Sequence, residues 1–402
     1  MNTRTSKQPM SLVVTLALCL GIQAITTDLY LPSLPLITRD LGSEVSYTQL
    51  TLSMLLVFFG IGQLVAGPLS DKWGRRPILI FGLFLYSLMS IAAGLASNMT
   101  MLIVARSLQG FFMAFAVVCA RALPRDLYQP DQAAAVISKG LTGLGIIACL
   151  SPVVGGLLAS WLGWRASLFA LSVFGMIGLL WIVMFQKETI REYRPDSFHL
   201  PSMWKNWSEI SKNIEFRNFT LLASASYGGL FIFLASSSFV FTKVYGLDSL
   251  TYSYWLIVSS ISYIAGTVLC RRLLKLGSIA STVKVGGYLA LISGIFIVGF
   301  SLAGFKSIAY FMPFHVIFMV AHGINLPCAT AGAVGPFPEK AGSAAALSGF
   351  IMMVVAFCTG LILGKFLTIS QNSVYPLTLG MGFWIAVVSF VTLFLIQRPH
   401  NH

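Results

Sequence analysis

Apolar residues in this 402-residue chain fall in long unbroken blocks, not in the alternating rhythm of a half-buried strand or the narrow stripe of a surface helix. An α-helix needs about 20 mostly apolar residues to cross roughly 30 Å of hydrocarbon. Blocks of that size occur at about 11–33, 48–68, 78–97, 101–122, 140–161, 165–186, 218–242, 250–270, 280–302, 308–332, 342–364 and 375–397. The pattern predicts an all-α chain of twelve spans. Its longest connection, 187–217, divides them six and six, which gives an N-terminal bundle over 1–186, a linker over 187–217 and a C-terminal bundle over 218–402. The linker carries Lys187, Arg191, Arg194, Lys205, Lys212 and Arg217 among five acids. Within it Trp204, Trp207, Ile210 and Ile214 recur at near-helical spacing. That fits a short helix on the membrane surface and equally a solvated linker with incidental aromatics.

Composition agrees with the block pattern. Hydrophobic residues make up 56% and charged residues 10%, against about 25% charged in a soluble domain, and the mean hydropathy is +0.83. Too little polar surface exists to cover two or three soluble cores, so an ordinary soluble enzyme is excluded and the chain is solvated by lipid. A net charge of +13 would raise nucleic acid as a partner in a soluble protein; in a membrane protein the location of the cations matters instead. With the N-terminus in the cytoplasm, Arg39, Arg165, Lys243, Lys306 and Lys365 fall outside and Arg106 falls within a span, leaving twenty of the 26 basic residues inside. Both termini are therefore expected in the cytoplasm, with no nucleic-acid partner. Arg4 and Lys7 before the first block imitate a secretory signal, but the block exceeds signal length and Leu18 precedes Cys19 where a lipoprotein site requires a small residue, so it reads as a retained first helix. The six cysteines lie in apolar runs without a C-x-x-C pair, and His315 and His322 stand seven apart. No metal, cofactor or disulfide framework is expected.

Of the 13 acids, Asp28 alone falls deep in a span. An ionised carboxylate is costly there, so it should face a central cavity; a mere cap at the outer end of the span fits less well, because Tyr30, Leu31 and Leu34 continue the apolar run. Arg106 is the one basic residue well inside a span, roughly 8 Å from its outer end at about 1.5 Å per residue, near the depth expected for Asp28. The two are expected to meet directly or through water, with Tyr30 beside them. The alternative for Arg106 is a structural bond to backbone carbonyls that shapes the cavity. The second half offers no embedded acid. Its candidates are Tyr227, Phe231 and Phe233 in span 7, Tyr254 and Trp255 in span 8, and His322 and Asn325 in span 10, an aromatic wall with a few polar groups that suits an amphiphilic small molecule.

The most specific string is Gly67-Pro-Leu-Ser-Asp71-Lys-Trp-Gly74-Arg75-Arg76-Pro77, in the short turn between spans 2 and 3. Its glycines permit close approach and a tight turn. Asp71 is expected to accept from helix N-terminal amides near Gly342 and Ser343, and Arg75 and Arg76 to reach Asp126. The string resembles the signature loop of the major facilitator superfamily, G-x-L-x-D-x-x-G-R-[KR]-x. Arg106-Ser-Leu-Gln109-Gly110 resembles that family's R-x-x-Q-G motif, and Ser151-Pro152-Val-Val-Gly155-Gly156 its antiporter motif G-P-x-x-G-G with Ser151 in the first glycine's place. Pro152 would free a carbonyl, and the glycines would pack span 5 on a partner from the second half. Thr27-Asp28-Leu-Tyr30-Leu-Pro32-Ser-Leu-Pro35 and Phe337-Pro338-Glu-Lys-Ala341-Gly342-Ser343-Ala344 resemble strings of the Bcr/CflA drug-resistance subfamily. The basic, Gly-bearing Arg271-Arg272-Leu-Leu-Lys275-Leu-Gly277 echoes the signature loop in the second half without its Asp, as parallel six-helix repeats would allow.

The resemblance implies a monomeric drug/proton antiporter of the bacterial inner membrane that exchanges a small amphiphilic substrate for protons by rocking two bundles, with the loop as a latch between them. The rivals are an exporter or symporter of a physiological metabolite such as a peptide, sugar or siderophore; a membrane-embedded transferase, which lacks here the D-D-x-x-D cluster that a metal-bound diphosphate requires; and a non-transporting receptor, which has no need of a lone buried acid.

Overall fold

The computed structural model describes residues 10–128, 130–190, 193, 198–370 and 373–396; Arg4, Lys7, Arg191 and Arg194 lie outside the described residues. Twelve helical stretches are long and apolar enough to cross a membrane, and no strand occurs among the described residues. The first half runs α1 (Met10–Asp28), α2 (Leu34–Asp40), α3 (Val45–Trp73), α4 (Arg75–Gly94), α5 (Met99–Leu127), α6 (Pro130–Trp161) and α7 (Trp164–Phe185). A shorter α8 (Leu200–Lys212) precedes the second half: α9 (Ile214–Phe239), α10 (Ser249–Leu276), α11 (Ile279–Leu302), α12 (Ile308–Val334), α13 (Ala341–Ile369) and α14 (Tyr375–Phe390). Twelve crossings bring both ends of the described chain to one side of the membrane, here the terminal face.

The first span is longer than its apolar block and is broken. α1 stops at Asp28, a 3₁₀ turn covers Leu31–Ser33, and α2 carries the span on to Asp40. Pro32 imposes this. A proline ring inside a helix clashes with the carbonyl four residues earlier, so Pro32 ends the helix at Asp28, and Pro35 falls in the first turn of α2, where proline is tolerated. Among the described residues, the one acid deep in a span thus sits at a helix break near the middle of the 31-residue stretch Met10–Asp40, not about a turn below its outer end as its block boundary implied.

Helices inside each half approach closely where a side chain is missing. Gly110 of α5 lies against the main chain of Leu55 in α3, and Gly62 of α3 lies against the carbonyl of Phe111. Lipid tails are as apolar as leucine, so it is this close packing, not hydrophobic burial, that holds such helices together. The second half closes in the same manner, where Gly323 of α12 meets the backbone of Tyr263 and Gly266 in α10.

The halves meet along two seams, α3 against α13 and α6 against α10. In the first, antiparallel seam, Ser46 faces Gly364, Ser53 faces Gly360, Gly60 faces Met353 and Gln63 faces Gly349. At the face opposite the termini the Leu31–Ser33 turn and α2 also pack on the second half, closing the molecule there. Within the linker, α8 is a formed helix docked on the terminal ends of α9 and α13. Ile210 is fully buried with Phe216, Ala333, Ala344 and Leu347, Trp207 packs on them, Lys340 pairs with Glu209 at 2.5 Å, and Trp204 points outward at 73% exposure. Ile214 belongs to α9 and not to the linker helix, because Asn213 caps the new helix by accepting from the Phe216 amide at 2.9 Å.

Replacing Gly110 with Val should therefore force α3 and α5 apart. Overpacking of this kind costs about 1–3 kcal/mol. Thermal unfolding in detergent should show a clear drop for Gly110→Val, and an unchanged midpoint would mean that the α3–α5 contact does not limit stability.

Candidate functional site

Asp28 is half-buried where α1 ends. Its carboxylate accepts from the Thr27 hydroxyl at 3.0 Å. Around it lie Cys149 of α6 and, from the second half, Tyr227 of α9 and Tyr252 of α10, all within its electrostatic reach; Tyr227 also touches Gln23 of α1. The acid is therefore held by α1 close to the other bundle, with two of its tyrosines within electrostatic reach. Tyr227 was legible from sequence. Tyr252, which bonds Ser237 at 2.9 Å, was not, because a tyrosine in an apolar run gives no sign of the direction in which it points.

Arg106 does not pair with Asp28. It is fully buried, donates to Gln109 Oε1 at 2.6 Å and to the carbonyl of Thr26 at 3.3 Å, and lies 4.1 Å over the ring of Tyr30. Helical geometry explains the separation. Thr26 and Tyr30 are four residues apart and share one side of the chain, whereas Asp28, two residues from each, points to the other. The network continues through Tyr86 to Thr26 at 2.6 Å, Gln109 to Ser90 at 2.6 Å, and Tyr30 to Thr51 at 2.8 Å. It ties α1, α3, α4 and α5 together behind the acid, so Arg106 braces the wall that carries Asp28.

The second-half candidates separate. Phe231 is fully buried at the joint of α9, α13 and α3, against Gly360, and Phe233 stacks on His315 at 3.8 Å. Tyr254 is 53% exposed near the start of α10 and Trp255 packs at the core's edge; neither joins the group around Asp28. His322 is buried and bonds Ser226 at 2.8 Å. Asn325 is buried against Gly286 of α11, inside the bundle, with neither amide atom hydrogen-bonded. Their helix α12 turns these polar groups towards its own bundle and away from the acid.

Of the antiporter-like string in α6, Ser151, Pro152, Gly155 and Gly156 are all buried. Gly155 lies against the main chain of Leu29, the residue after Asp28. Its partner is thus α1 of the same half, in place of the second-half helix expected. The contact with the second half is made elsewhere on α6, where Gly145 meets Ile264.

The signature turn is bound up within the first half. Gly74 has φ +101°, a conformation that favours glycine. Arg75 donates to Asp71 at 2.7 Å and to Asp126 at 3.1 Å, whereas Arg76 reaches the Val183 carbonyl at 3.0 Å instead of Asp126. No hydrogen bond joins Asp71 to Gly342 or Ser343, and Gly342 faces open space. With the molecule closed at the opposite face, the start of α13 stands clear of Asp71. Sequence reading missed Glu188, just past α7. It accepts from the amides of Arg75 and Arg76 at 3.0 and 3.1 Å, capping α4, and from its own neighbours Thr189 and Ile190; the Thr189 hydroxyl donates to Asp126 at 3.1 Å. The beginning of the linker is therefore strapped to the turn. Burial disfavours the charge on Glu188, but the four amides outweigh it and hold its carboxyl below the ordinary glutamate range. Since the folded value is the lower one, the strap is at full strength above about pH 4.3 and weakens only as pH falls through the depressed value. No sequence motif marks Glu188, because its role comes from where the chain leaves α7.

Comparison with known proteins agrees with this architecture. The chain is 25% identical to the bicyclomycin resistance protein homolog of Haemophilus influenzae, over 98% of both chains. It is 28% identical to multidrug resistance protein D of Escherichia coli over 85% of both, and 27% identical to the chloramphenicol resistance protein of Pseudomonas aeruginosa over 87% of this chain and 82% of that one. Among solved structures, the D-xylose-proton symporter superposes with a TM-score of 0.74 at 13% identity, covering 96% of this chain and 98% of that one. The human organic anion transporter MFSD10 gives 0.73 at 17% identity, over 97% and 100%; at such identities the likeness is one of fold. The sequence model of the Major Facilitator Superfamily matches residues 16–360, and with twelve spans in two bundles behind that match, the chain belongs to the major facilitator superfamily of membrane transporters.

Proposed function

We propose that this transporter is a proton-coupled exporter of small amphiphilic, drug-like molecules, acting as a monomer in a bacterial inner membrane with the terminal face in the cytoplasm. The observation that carries the reading is the position of Asp28, an acid at a helix break close to the other bundle, with Tyr227 and Tyr252 within electrostatic reach. Relatives named for resistance to bicyclomycin and chloramphenicol support the substrate class. The halves 1–186 and 218–402 rock about the linker 187–217, exposing Asp28 to one face and then the other. A proton and a drug cannot both occupy the carboxylate, so each displaces the other and the fluxes run in opposite directions. No covalent step is involved. The structure, closed opposite the termini, corresponds on this reading to the state that loads drug from the cytoplasm; Asp71 and the start of α13 then meet in the alternate state, when the terminal face closes.

Asp28→Asn keeps the side chain's size and removes its charge. Energised export should be abolished, while affinity for a neutral drug should persist and become flat across about pH 5 to 9, the range that buried carboxylates span. In the unaltered protein, affinity should weaken as pH falls through the titration of Asp28, and by reciprocity bound drug should release a proton. Glu188 stays charged over that range, so it contributes nothing to the profile. Binding measured on both proteins in detergent, with flux in proteoliposomes, checks this; an Asn variant that pumps, or keeps the original profile, overturns the mechanism.

The loop yields a second prediction. Asp71→Ala and Glu188→Ala should each insert and fold, since neither empties the core, yet slow turnover by roughly tenfold or more, as loss of a charge-assisted bond of about 1.5–3 kcal/mol implies. Drug affinity should change far less. Normal turnover in both variants would reduce the loop to a determinant of topology.

A further inference from the structure

We propose that Gln49 is the reversible lock of the opposite-face seam. It lies one turn into α3, is fully buried, and its Nε2 donates across the seam to the main-chain carbonyl of Ala235 in α9. A side chain from one half thus holds the backbone of the other. The approach is possible because the facing surface is small. Ala235 is followed by Ser236, Ser237 and Ser238, all buried, and one turn further along α3 Ser53 packs on Gly360 and so next to Phe231. Three helices, α3, α9 and α13, meet at this point.

The other end of the same amide makes the lock reversible. Gln49 Oε1 is buried and accepts no hydrogen bond. A buried acceptor without a partner costs free energy that it recovers on meeting water. Closing the seam therefore satisfies one end of the amide and strands the other, and opening it solvates both. The bond fixes the register of the closed state without making that state deep. A pocket of about 300 Å³ opens nearby at the opposite face, lined by Val45, one turn before Gln49, and by Glu44, Phe239, Lys243 and Leu367 from both halves. Parting the seam would extend this pocket past Gln49 towards the break at Asp28. Beyond the lock, α9 ends in a widened π-helical turn, Val240–Val244, so the element that Gln49 grips is also one whose helix is already loosened.

The lock rests on the reading of the chain as an alternating-access transporter, and its test uses neither drug nor proton gradient, so the two can fail separately. Hydrogen–deuterium exchange of the full chain in detergent reads the seam through peptides covering 43–56 and 235–247, with α7 as an internal control. Gln49→Glu sets a carboxylate against the Ala235 carbonyl and should open the seam, raising exchange in both peptides about threefold or more, the scale of one interhelical hydrogen bond. Gln49→Leu fills the same space with no stranded acceptor and should lower exchange in both while slowing any transport. Opposite shifts of the two variants, with α7 unchanged, support the lock. Shifts in the same direction, or no shift, overturn it. If the Glu variant fails to fold, the Leu variant decides alone, and exchange at or above the unaltered level counts against the lock.

Discussion

The cost of a carboxylate in hydrocarbon organises this molecule. An acid deep in a span must find polar company or water, and Asp28 has the Thr27 hydroxyl and, within electrostatic reach, two tyrosines of the other half, because Pro32 breaks the helix beyond it. The first half is then built around keeping that break in position. Arg106 braces the far side of the same chain through Thr26 and Tyr30, and Gly155 brings α6 onto Leu29. The cation that lies nearest in sequence pattern therefore serves the scaffold, and the acid is left within reach of the tyrosines of the other half.

A second constraint acts at the seams. On the proposed mechanism the bundles must part, and along the α3–α13 seam Ser46, Ser53 and Gln63 of α3 meet glycines of α13 while Gly60 meets Met353. Within each half, glycines let the helices reach one another's backbones, as where Gly110 meets Leu55 and Gly323 meets Tyr263. The polar chemistry is divided in the same way. The signature turn, with Asp71, Arg75, Asp126 and Glu188, is satisfied inside one half, and α8 is pinned to the other by Ile210 and the Lys340–Glu209 pair. The linker is thus fastened at both ends, to the first half through Glu188 and Thr189 and to the second through α8.

The sequence by itself determined the twelve spans and the acid embedded in the first, because these rest on composition and on block lengths that lipid enforces, while the fold family was legible only through motifs that resemble a known family's. Block length reports hydrocarbon thickness, and a Gly-Asp-Gly-Arg spacing reports a turn. Tertiary structure alone decided who touches whom. That Asp28 and Arg106 turn apart follows from a half-turn of helix that is invisible in two residues 78 positions distant; that Tyr252 joins the acid while Tyr254 does not depends on the rotation of α10 against its neighbours. Gln49 and Glu188 carry no motif at all. They matter because packing brings a glutamine to a foreign carbonyl and a glutamate to the amides of α4, and the free energy of a buried hydrogen bond is set by the partner that the fold supplies.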